Sequence, residues 1–264
     1  MLNAVSVDVE EWHDTVLFVK NGELRGQRTT LPENTLEILE LFDSLSVKAT
    51  FFILGSVAQK YPDTVKSIAR AGHEIASHGM THSGVNAMTM GEFEKTAADS
   101  KKLLSDISGY TPMGYRAPTF SIYSRERFYM ESLKKTGYRY DSSLYPLALF
   151  PGRRIPRRPH EILPGFWEYP LSVAGRPLPP LPFLGGTFLR LLPLKFISSN
   201  LRRLNAAGTP GILYFHTWEM ARSAPRVPAW KHAVQFSNLS GIKIKIRRLL
   251  GEFRFSTARS TLGF

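Results

Sequence analysis

Strand-like and helix-like segments alternate along most of this chain, and few folds accommodate that order. Strands are predicted at residues 4–9, 47–54, 73–77, 113–117, 138–141, 166–171 and 211–215. Helices are predicted at residues 33–45, 56–71, 89–108, 124–136 and 194–207. The alternation predicts an α/β protein, in which helices surround a parallel sheet or barrel. In such folds the chemistry gathers at the carboxyl ends of the strands.

The 264-residue chain has no cysteine, which excludes disulfides, thiolate metal ligands and cysteine nucleophiles. A bound metal ion would therefore need histidine, aspartate or glutamate ligands. Residues 1–14 lack the basic start and long apolar core of a signal peptide. The most apolar later stretch, 181–197, is interrupted by glycine, arginine, proline and lysine, so no transmembrane helix is predicted. We expect a cytoplasmic protein, in peripheral contact with the inner membrane face.

That membrane expectation comes from the distribution of charge. Of a net charge of +12, residues 222–264 carry +8, with nine Lys and Arg residues against one acid. The stretch 146–186 is rich in Pro, Arg and Gly and is predicted to form long loops over one face. It contains a second basic group, Arg153, Arg154, Arg157 and Arg158. Such surfaces attract phosphates or anionic headgroups, although positive charge also serves solubility alone. From residue 238 the tail predicts a basic amphipathic helix or an edge strand.

Carboxylates and histidines follow several of the predicted strands. Asp8 and Glu10 are two residues apart, so both can face one site, although acid pairs are also common at solvated strand ends. His78 and His82 are four residues apart and can converge on one metal ion, although such a pair can also be two unrelated histidines. Together with Glu10 they would give two histidines and one carboxylate with open positions, a composition typical of catalytic metal sites.

Three further strand ends carry candidate functional residues. Arg116 is followed by Ala-Pro and could hold a carboxylate ionised, or could be a surface arginine before a turn. Asp141 could belong to the site or to a local Asx-type turn. His216 ends the last strand and is a candidate proton donor, unless it is structural.

Five ordered motifs resemble the polysaccharide deacetylases of the NodB-homology type, which form carbohydrate esterase family 4. They are SVDVE (6–10), SHGMTH (77–82), RAPTF (116–120), DSSLY (141–145) and YFHTWE (214–219), with VKATFF (47–52) and AGHEIASH (71–78) between them. The resemblance covers about residues 3–220. The segment LPFLGGTFLRLLPL (181–194) and the residues that follow it resemble the branch associated with exopolysaccharide biosynthesis clusters.

The resemblance implies a distorted (β/α) barrel of the NodB type in residues 1–220, with residues 221–264 as a basic C-terminal extension packed on the same domain. It also implies a divalent cation, zinc first and cobalt or nickel as alternatives. Asp8 corresponds to the general base, Arg116 to the residue that orients it, and His216 to the general acid. His78 and His82 correspond to metal ligands, and the backbone N–H of Thr119 to an oxyanion donor. Residues expected to contact substrate are Phe120, Asp141, Tyr145, Tyr214 and Trp218.

The chain departs from the family pattern at three places. Val9 replaces the usual second aspartate of the first motif, so Glu10 is the expected carboxylate ligand. The fourth motif lacks its usual second Asp and Trp, which leaves Glu219 as a candidate to support His216. Tyr214 stands where a pocket leucine is usual.

The expected function is metal-dependent removal of acetyl groups from amino sugars of a polysaccharide or a lipid-linked glycan precursor. A membrane contact through the basic tail is expected, and nucleic acid is not expected as a partner. One alternative is an amidohydrolase acting on a small non-sugar amide or cyclic imide, and another is an enzyme without metal. An alternative of another class is a catalytically degenerate basic binding module.

Overall fold

A computed structural model describes residues 1–15, 18, 29–122, 126–146, 155–175 and 180–264. Within them the strands are β1 (Leu2–Val9), β2 (Thr50–Ile53), β3 (Glu74–Ser77), β4 (Gly114–Tyr115), β5 (Tyr140–Asp141), β6 (His160–Leu163), β7 (Phe166–Glu168), β8 (Val173–Ala174), β9 (Leu181–Pro182), β10 (Ile212–His216) and β11 (Arg254–Ser256). The helices are α1 (Leu31–Ser44), α2 (Gly55–Lys60), α3 (Pro62–Arg70), α4 (Met90–Ser108), α5 (Glu126–Lys135), α6 (Gly186–Leu191), α7 (Leu194–Ala206), α8 (Ala229–Gln235), α9 (Leu239–Glu252) and α10 (Ala258–Leu262).

The strands form a curled half-barrel, in the order β10-β1-β2-β3-β4-β5-β7-β6. Neighbours run parallel except β6 and β7, which form an antiparallel pair. Strand β11 lies parallel to β1 and pairs with its first residues, 2–4, whereas β2 pairs with residues 6–9. A separate antiparallel pair joins β8 to β9. The expected α/β barrel-like architecture is confirmed.

The alternation of side chains along β1 divides the core and positions the site. Val5, Val7 and Val9 belong to the large cluster between the sheet and its outer helices. Ala4 belongs to the aromatic cluster inside the curl, and period two places Ser6 and Asp8 on that same inner face. Every residue from Asn3 to Glu10 is buried. The strand therefore carries Asp8 into the interior at its carboxyl end.

Most of the expected elements are present, and two expectations are wrong in part. The helix expected at 56–71 is broken into α2 and α3, because Pro62 cannot continue the hydrogen-bond ladder of a preceding helix. The stretch 146–186, where only the strand at 166–171 was expected among long loops, contains β7 at that place and also the short strands β6, β8 and β9. Helix α4 has the expected Thr89 cap, whose hydroxyl accepts a hydrogen bond from the Glu92 N–H, and ends at Gly109 in the left-handed conformation.

The carboxyl-terminal segment is helical where the sequence allowed a helix or a strand. Helix α9 buries one apolar face, and it is followed directly by β11, which joins the main sheet. Lys243 of α9 donates to Glu37 of α1 at 2.7 Å. Residues 221–264 are thus joined to the rest of the domain through the pairing of β11 with β1 and through the contact of α9 with α1. In the described part of the chain, no helix combines the length and the apolar character that crossing a bilayer requires.

Candidate active site

A cavity of about 200 Å³ lies at the carboxyl ends of the central strands. Eight of the residues singled out from the sequence line it, among them Asp8, Glu10, His78, His82, Phe120 and His216. Thr119 and Trp218 also contribute to its wall. In the β1–β10 register Asp8 lies opposite His216, so the two expected proton carriers come from adjacent strands.

Glu10, His78 and His82 form the candidate metal centre. One ligand atom from each lies within 4.8 Å of the other two, and Glu10 Oε2 is 2.8 Å from His82 Nε2 and 3.7 Å from His78 Nε2. The charges of His82 and His216 outweigh burial and hold the pKa of Glu10 well below its usual range. Glu10 Oε2 is buried yet accepts no hydrogen bond of good geometry from the described residues. An orphaned carboxylate oxygen facing two imidazole nitrogens fits a divalent cation.

Hydrogen bonds behind these side chains fix their orientation. His78 Nδ1 lies 2.8 Å from the carbonyl oxygen of Arg116, which requires Nδ1 to carry the proton and leaves Nε2 with a lone pair for a metal. Trp218 Nε1 donates to Glu10 Oε1 at 3.1 Å. Outer partners are therefore in place for His78 and Glu10, as expected of metal ligands, whereas the buried Nδ1 of His82 has no hydrogen-bond partner among the described residues.

Asp8 and Arg116 form a buried ion pair on another side of the cavity. Arg116 is fully buried and Asp8 is 1% exposed, and Arg116 Nη1 donates to Asp8 Oδ1 at 2.7 Å. The remaining guanidinium donors reach Ser6 Oγ, Ser142 Oγ and the carbonyl oxygen of Ser142 at 3.0–3.1 Å. Four hydrogen bonds thus hold the guanidinium in place, so Arg116 can fix the orientation of the carboxylate expected to act as general base.

His216 is held by Glu219, the residue proposed for that role from the sequence. Glu219 Oε2 lies 2.9 Å from His216 Nδ1 and also accepts the backbone N–H of His216 at 2.9 Å. Burial lowers the pKa of His216, but the carboxylates of Glu10 and Glu219 outweigh it and raise the value to about 9. The His216 ring stacks on Trp218 at 5.1 Å and 14°, with its Nε2 3.8 Å from Glu10 Oε1.

The residues expected to contact substrate fall into two groups. Phe120 and Trp218 line the cavity, and Tyr145 and Tyr214 lie behind Phe120, with ring centroids 5.5 and 5.3 Å from its ring. Asp141 is fully buried and is not brought to the cavity. Its carboxylate accepts the Ser143 N–H at 2.9 Å and the Ser143 hydroxyl at 2.7 Å, which is the Asx-type turn allowed by the sequence.

The turn after Pro118 has an unusual backbone. Thr119 and Phe120 have φ angles of 57° and 52°, in the left-handed region that side chains with a Cβ seldom adopt. Both residues line the cavity. The strained pair therefore forms part of the cavity wall.

Sequence reasoning missed several residues of the site. Arg190, Val234 and Gln235 line the cavity, and Arg190 forms a buried ion pair with Glu219. The available signal was a single arginine within the apolar helix sequence FLRLL. Glu168, which lies against Asp141, falls within the strand predicted at 166–171 but was not singled out as a functional residue.

Two family profiles match adjoining parts of the chain. Residues 25–140 match the profile described as polysaccharide deacetylase. Residues 142–263 match a profile described as a domain of unknown function, DUF3473.

Curated relatives match shorter stretches. The peptidoglycan deacetylase of Helicobacter pylori is 35% identical over 107 residues, which are 40% of this chain and 36% of that protein. The peptidoglycan-N-acetylglucosamine deacetylase of Bacillus cereus is 36% identical over 86 residues, 33% of this chain and 31% of that protein. The chitooligosaccharide deacetylase of Sinorhizobium fredii is 30% identical over 73 residues, 28% and 34%. The chain thus spans about a third of the length of the curated relatives it matches.

Solved structures extend the likeness to the whole chain. A Mycobacterium smegmatis protein provisionally assigned as a polysaccharide deacetylase has a TM-score of 0.66 at 21% identity, covering 98% of this chain and 87% of its own. A family 4 carbohydrate esterase from Streptomyces lividans has a TM-score of 0.54 at 14% identity, covering 97% and 91%. A family 4 pseudoenzyme from Bacillus anthracis has a TM-score of 0.56 at 12% identity, covering 99% and 65%.

Residues 25–140 are therefore similar in sequence to polysaccharide deacetylases, and the chain shares its fold with a solved family 4 carbohydrate esterase. The fold resemblance stated from the sequence is confirmed. The narrower likeness to the exopolysaccharide branch stays a prediction, because none of these matches concerns that branch.

Proposed function

We propose that this protein is a metal-dependent N-deacetylase that hydrolyses the acetamide of an N-acetylated amino sugar in a glycan. The fold alone does not support this, since it is shared with a pseudoenzyme. The observation that carries the proposal is the arrangement of the Asp8–Arg116 pair, the Glu10–His78–His82 group and His216 around one cavity. The names of the curated relatives, all deacetylases of peptidoglycan or chitooligosaccharide, agree with it.

Each side chain has a role that its surroundings support. Glu10, His78 and His82 would hold the cation, and the chemistry that a divalent cation supplies in such a site is Lewis-acid polarisation of a carbonyl. Asp8 accepts a proton from the attacking water, and Arg116 keeps Asp8 ionised. His216 donates a proton to the leaving nitrogen, because an amine leaves poorly without one. The Thr119 backbone is proposed to stabilise the oxyanion.

The substrate is proposed to be an N-acetylated glycan, including lipid-linked precursors. Phe120 offers aromatic surface to a sugar ring, and the Tyr145 and Tyr214 rings pack against it. Trp218, expected from the sequence to contact substrate, is 5% exposed and stacks on His216, so its contribution to the cavity wall is confined to an edge of the ring. Asp141 is proposed to stabilise the turn beneath them.

The membrane contact proposed for the basic tail depends on arginines that remain exposed. Lys231 is buried against Phe18, Lys243 is paired with Glu37, and Lys245 binds backbone carbonyls. The exposed basic residues of the segment are Arg222, Arg226, Arg247, Arg248, Arg254 and Arg259. Of the second basic group, Arg157 and Arg158 are exposed, and Arg153 and Arg154 lie outside the described residues. Sedimentation with anionic and neutral vesicles tests the contact, and equal binding to both would reject it.

The deciding experiment measures acetate released from N-acetylchitooligosaccharides and peptidoglycan fragments, with added zinc, cobalt or nickel. Asp8→Asn is expected to lower the rate about 10²–10⁴-fold. Metal analysis of the purified protein is expected to find a bound divalent cation that is lost in the variant His78→Ala/His82→Ala. His160→Ala removes a histidine of β6 outside the cavity and serves as the control.

Absence of any metal after incubation with all three ions would contradict the proposal. Hydrolysis of a cyclic imide without acetate release from glycans would instead support the alternative of a small-amide hydrolase.

A further inference from the structure

We propose that Arg190 and Glu219 form a buried positioning chain that sets the orientation and tautomer of the His216 ring. The inference rests on the proposed function for its catalytic meaning, but its structural content can be tested without substrate. Neither the expected motifs nor the matched profiles assign a role to Arg190. Both residues lie in the region that matches only a domain of unknown function.

Both carboxylate oxygens of Glu219 are engaged. Oε2 accepts the backbone N–H of His216 and faces His216 Nδ1, at 2.9 Å in each case. Oε1 accepts a hydrogen bond from Arg190 Nη1. An ionised carboxylate can only accept, so Nδ1 of His216 must carry its proton toward Glu219. The other ring nitrogen, Nε2, then faces the cavity side near Glu10.

Arg190 is held in place on several sides. Its side chain is 1% exposed, and Nη2 donates to Thr187 Oγ1 at 3.1 Å and to the carbonyl oxygen of Val234 at 3.2 Å. The guanidinium also lies over the Trp218 ring at 5.3 Å, the ring on which His216 stacks. A planar fork with these fixed partners orients a carboxylate more rigidly than a lysine could.

The carboxyl-terminal segment fixes the backbone of Arg190. The carbonyl oxygen of Arg190 accepts hydrogen bonds from Asn238 Nδ2 and Lys245 Nζ, both at 2.6 Å. Lys245 also reaches the carbonyl oxygens of Leu189 and Leu192 at 3.0 and 2.7 Å. This lysine therefore binds the open carbonyls at the end of α6, a favourable place for a cation.

Charge explains why an arginine is needed at this point. Glu219 is fully buried, and the His216 ring contacts Glu219 through Nδ1 and lies 3.8 Å from Glu10 Oε1 through Nε2. Two carboxylates flanking one imidazole would otherwise compete for the ring. Arg190 balances the charge of Glu219, so Glu219 can orient the His216 ring through Nδ1 while Glu10 remains available to a cation.

The test compares Glu219→Gln, Arg190→Lys and Arg190→Met with the unsubstituted protein. Arg202→Met is the matched control, since it removes an arginine from an exposed ion pair with Glu252. Two-dimensional NMR of ¹⁵N-histidine-labelled protein, recorded at pH values above the raised pKa of His216 so that the ring is neutral, reports which ring nitrogen carries the proton, with His216→Asn to assign the signal. The unsubstituted protein and Arg202→Met are expected to show protonated Nδ1, whereas Glu219→Gln and Arg190→Met are expected to show mixed tautomers.

Kinetics supply the second readout, with N-acetylchitopentaose as the probe. Glu219→Gln is expected to lower kcat about 10²–10⁴-fold with KM nearly unchanged. Arg190→Lys, which retains the charge without the fork, is expected to retain more activity than Arg190→Met. Urea unfolding of each variant separates these effects from loss of fold.

Protonated Nδ1 in both Glu219→Gln and Arg190→Met, with kcat unchanged, would overturn the proposal. If one of these variants does not fold, the tautomer in Arg190→Lys and in the other variant decides. If the unsubstituted protein releases no acetate from any glycan, the proposed function fails, but the tautomer comparison still decides whether the positioning chain exists.

Discussion

Glu168 is expected to keep its proton in the folded protein well above the pH at which an ordinary glutamate loses it. Burial raises the pKa of Glu168 well above its usual range, and the neighbouring Asp141 carboxylate raises it further. Glu168 is fully buried, and its Oε2 accepts no hydrogen bond from the described residues. Oε1 accepts the Leu144 N–H at 3.0 Å.

The sign of the resulting pH dependence follows from proton counting. Between the unfolded pKa of about 4.3 and the raised folded pKa, the folded protein binds one proton more than the unfolded chain. The free energy of unfolding therefore falls as pH rises through this window, by up to about 1.4 kcal/mol for each pH unit from this one group. Glu168→Gln places a neutral amide donor beside Asp141 and removes this fall in the free energy of unfolding at higher pH.

The assay is urea unfolding of both proteins at a series of pH values from 5 to 8. The stability of Glu168→Gln relative to the unsubstituted protein is expected to rise with pH, by about 1–3 kcal/mol between pH 5 and 7. Glu40→Gln, at an exposed position of α1, is the control and is expected to give no such trend. Parallel pH profiles for the unsubstituted protein and Glu168→Gln would refute the reasoning, because they would mean that Glu168 is ionised in the fold.

Three further substitutions test the site and the packing around it. Arg116→Lys retains a positive charge but loses the fork of donors, so it is expected to cost about 1–3 kcal/mol in urea unfolding and to lower acetate release. Trp218→Phe keeps the ring but removes the donor to Glu10, and is expected to weaken zinc binding roughly 10–100-fold in a chelator competition. Gly185→Ala would place a Cβ within the Tyr214 ring and is expected to destabilise by about 1–3 kcal/mol.

Each of these has a control within the same chain. Arg127→Lys alters an arginine of an exposed pair on α5 and is expected to change neither stability nor activity. Gly251→Ala, where an added Cβ meets nothing within 4 Å, is expected to be neutral or stabilising by under about 1 kcal/mol. Unchanged zinc affinity in Trp218→Phe would show that the indole donor does not orient Glu10.

The sequence predicted the strands and the polar residues that follow them because both depend on local pattern. The period of two along β1 is enough to place Asp8 and Glu10 on one side, and the strand ends bring His78 and Arg116 to the same edge. The sequence also indicated that Glu10 takes the place of the usual aspartate, and the structure places this carboxylate beside both histidines.

The sequence could not predict contacts between segments that are distant along the chain. The partner of Glu219 comes from α6, 29 residues earlier in the chain, and nothing periodic marks Arg190 as buried rather than exposed. The same holds for Asp141, whose motif position suggests a substrate contact. Its burial depends on β7, which places Glu168 opposite it in the sheet.

The division of the chain into two matched regions does not correspond to two halves of function. His78, His82 and Arg116 lie in residues 25–140, but the strand that carries His216 lies in the region of unknown function and pairs with β1. Trp218 donates to the candidate metal ligand Glu10, and Arg190 donates to Glu219, which holds His216. Both residues come from that second region as well. Since the cavity is lined from both regions, a fragment ending near residue 140 would keep the three candidate metal ligands but would lack the proposed acid His216 and the indole that donates to Glu10. We therefore interpret the second region as the part of the deacetylase fold that completes the proton-donating side of the site.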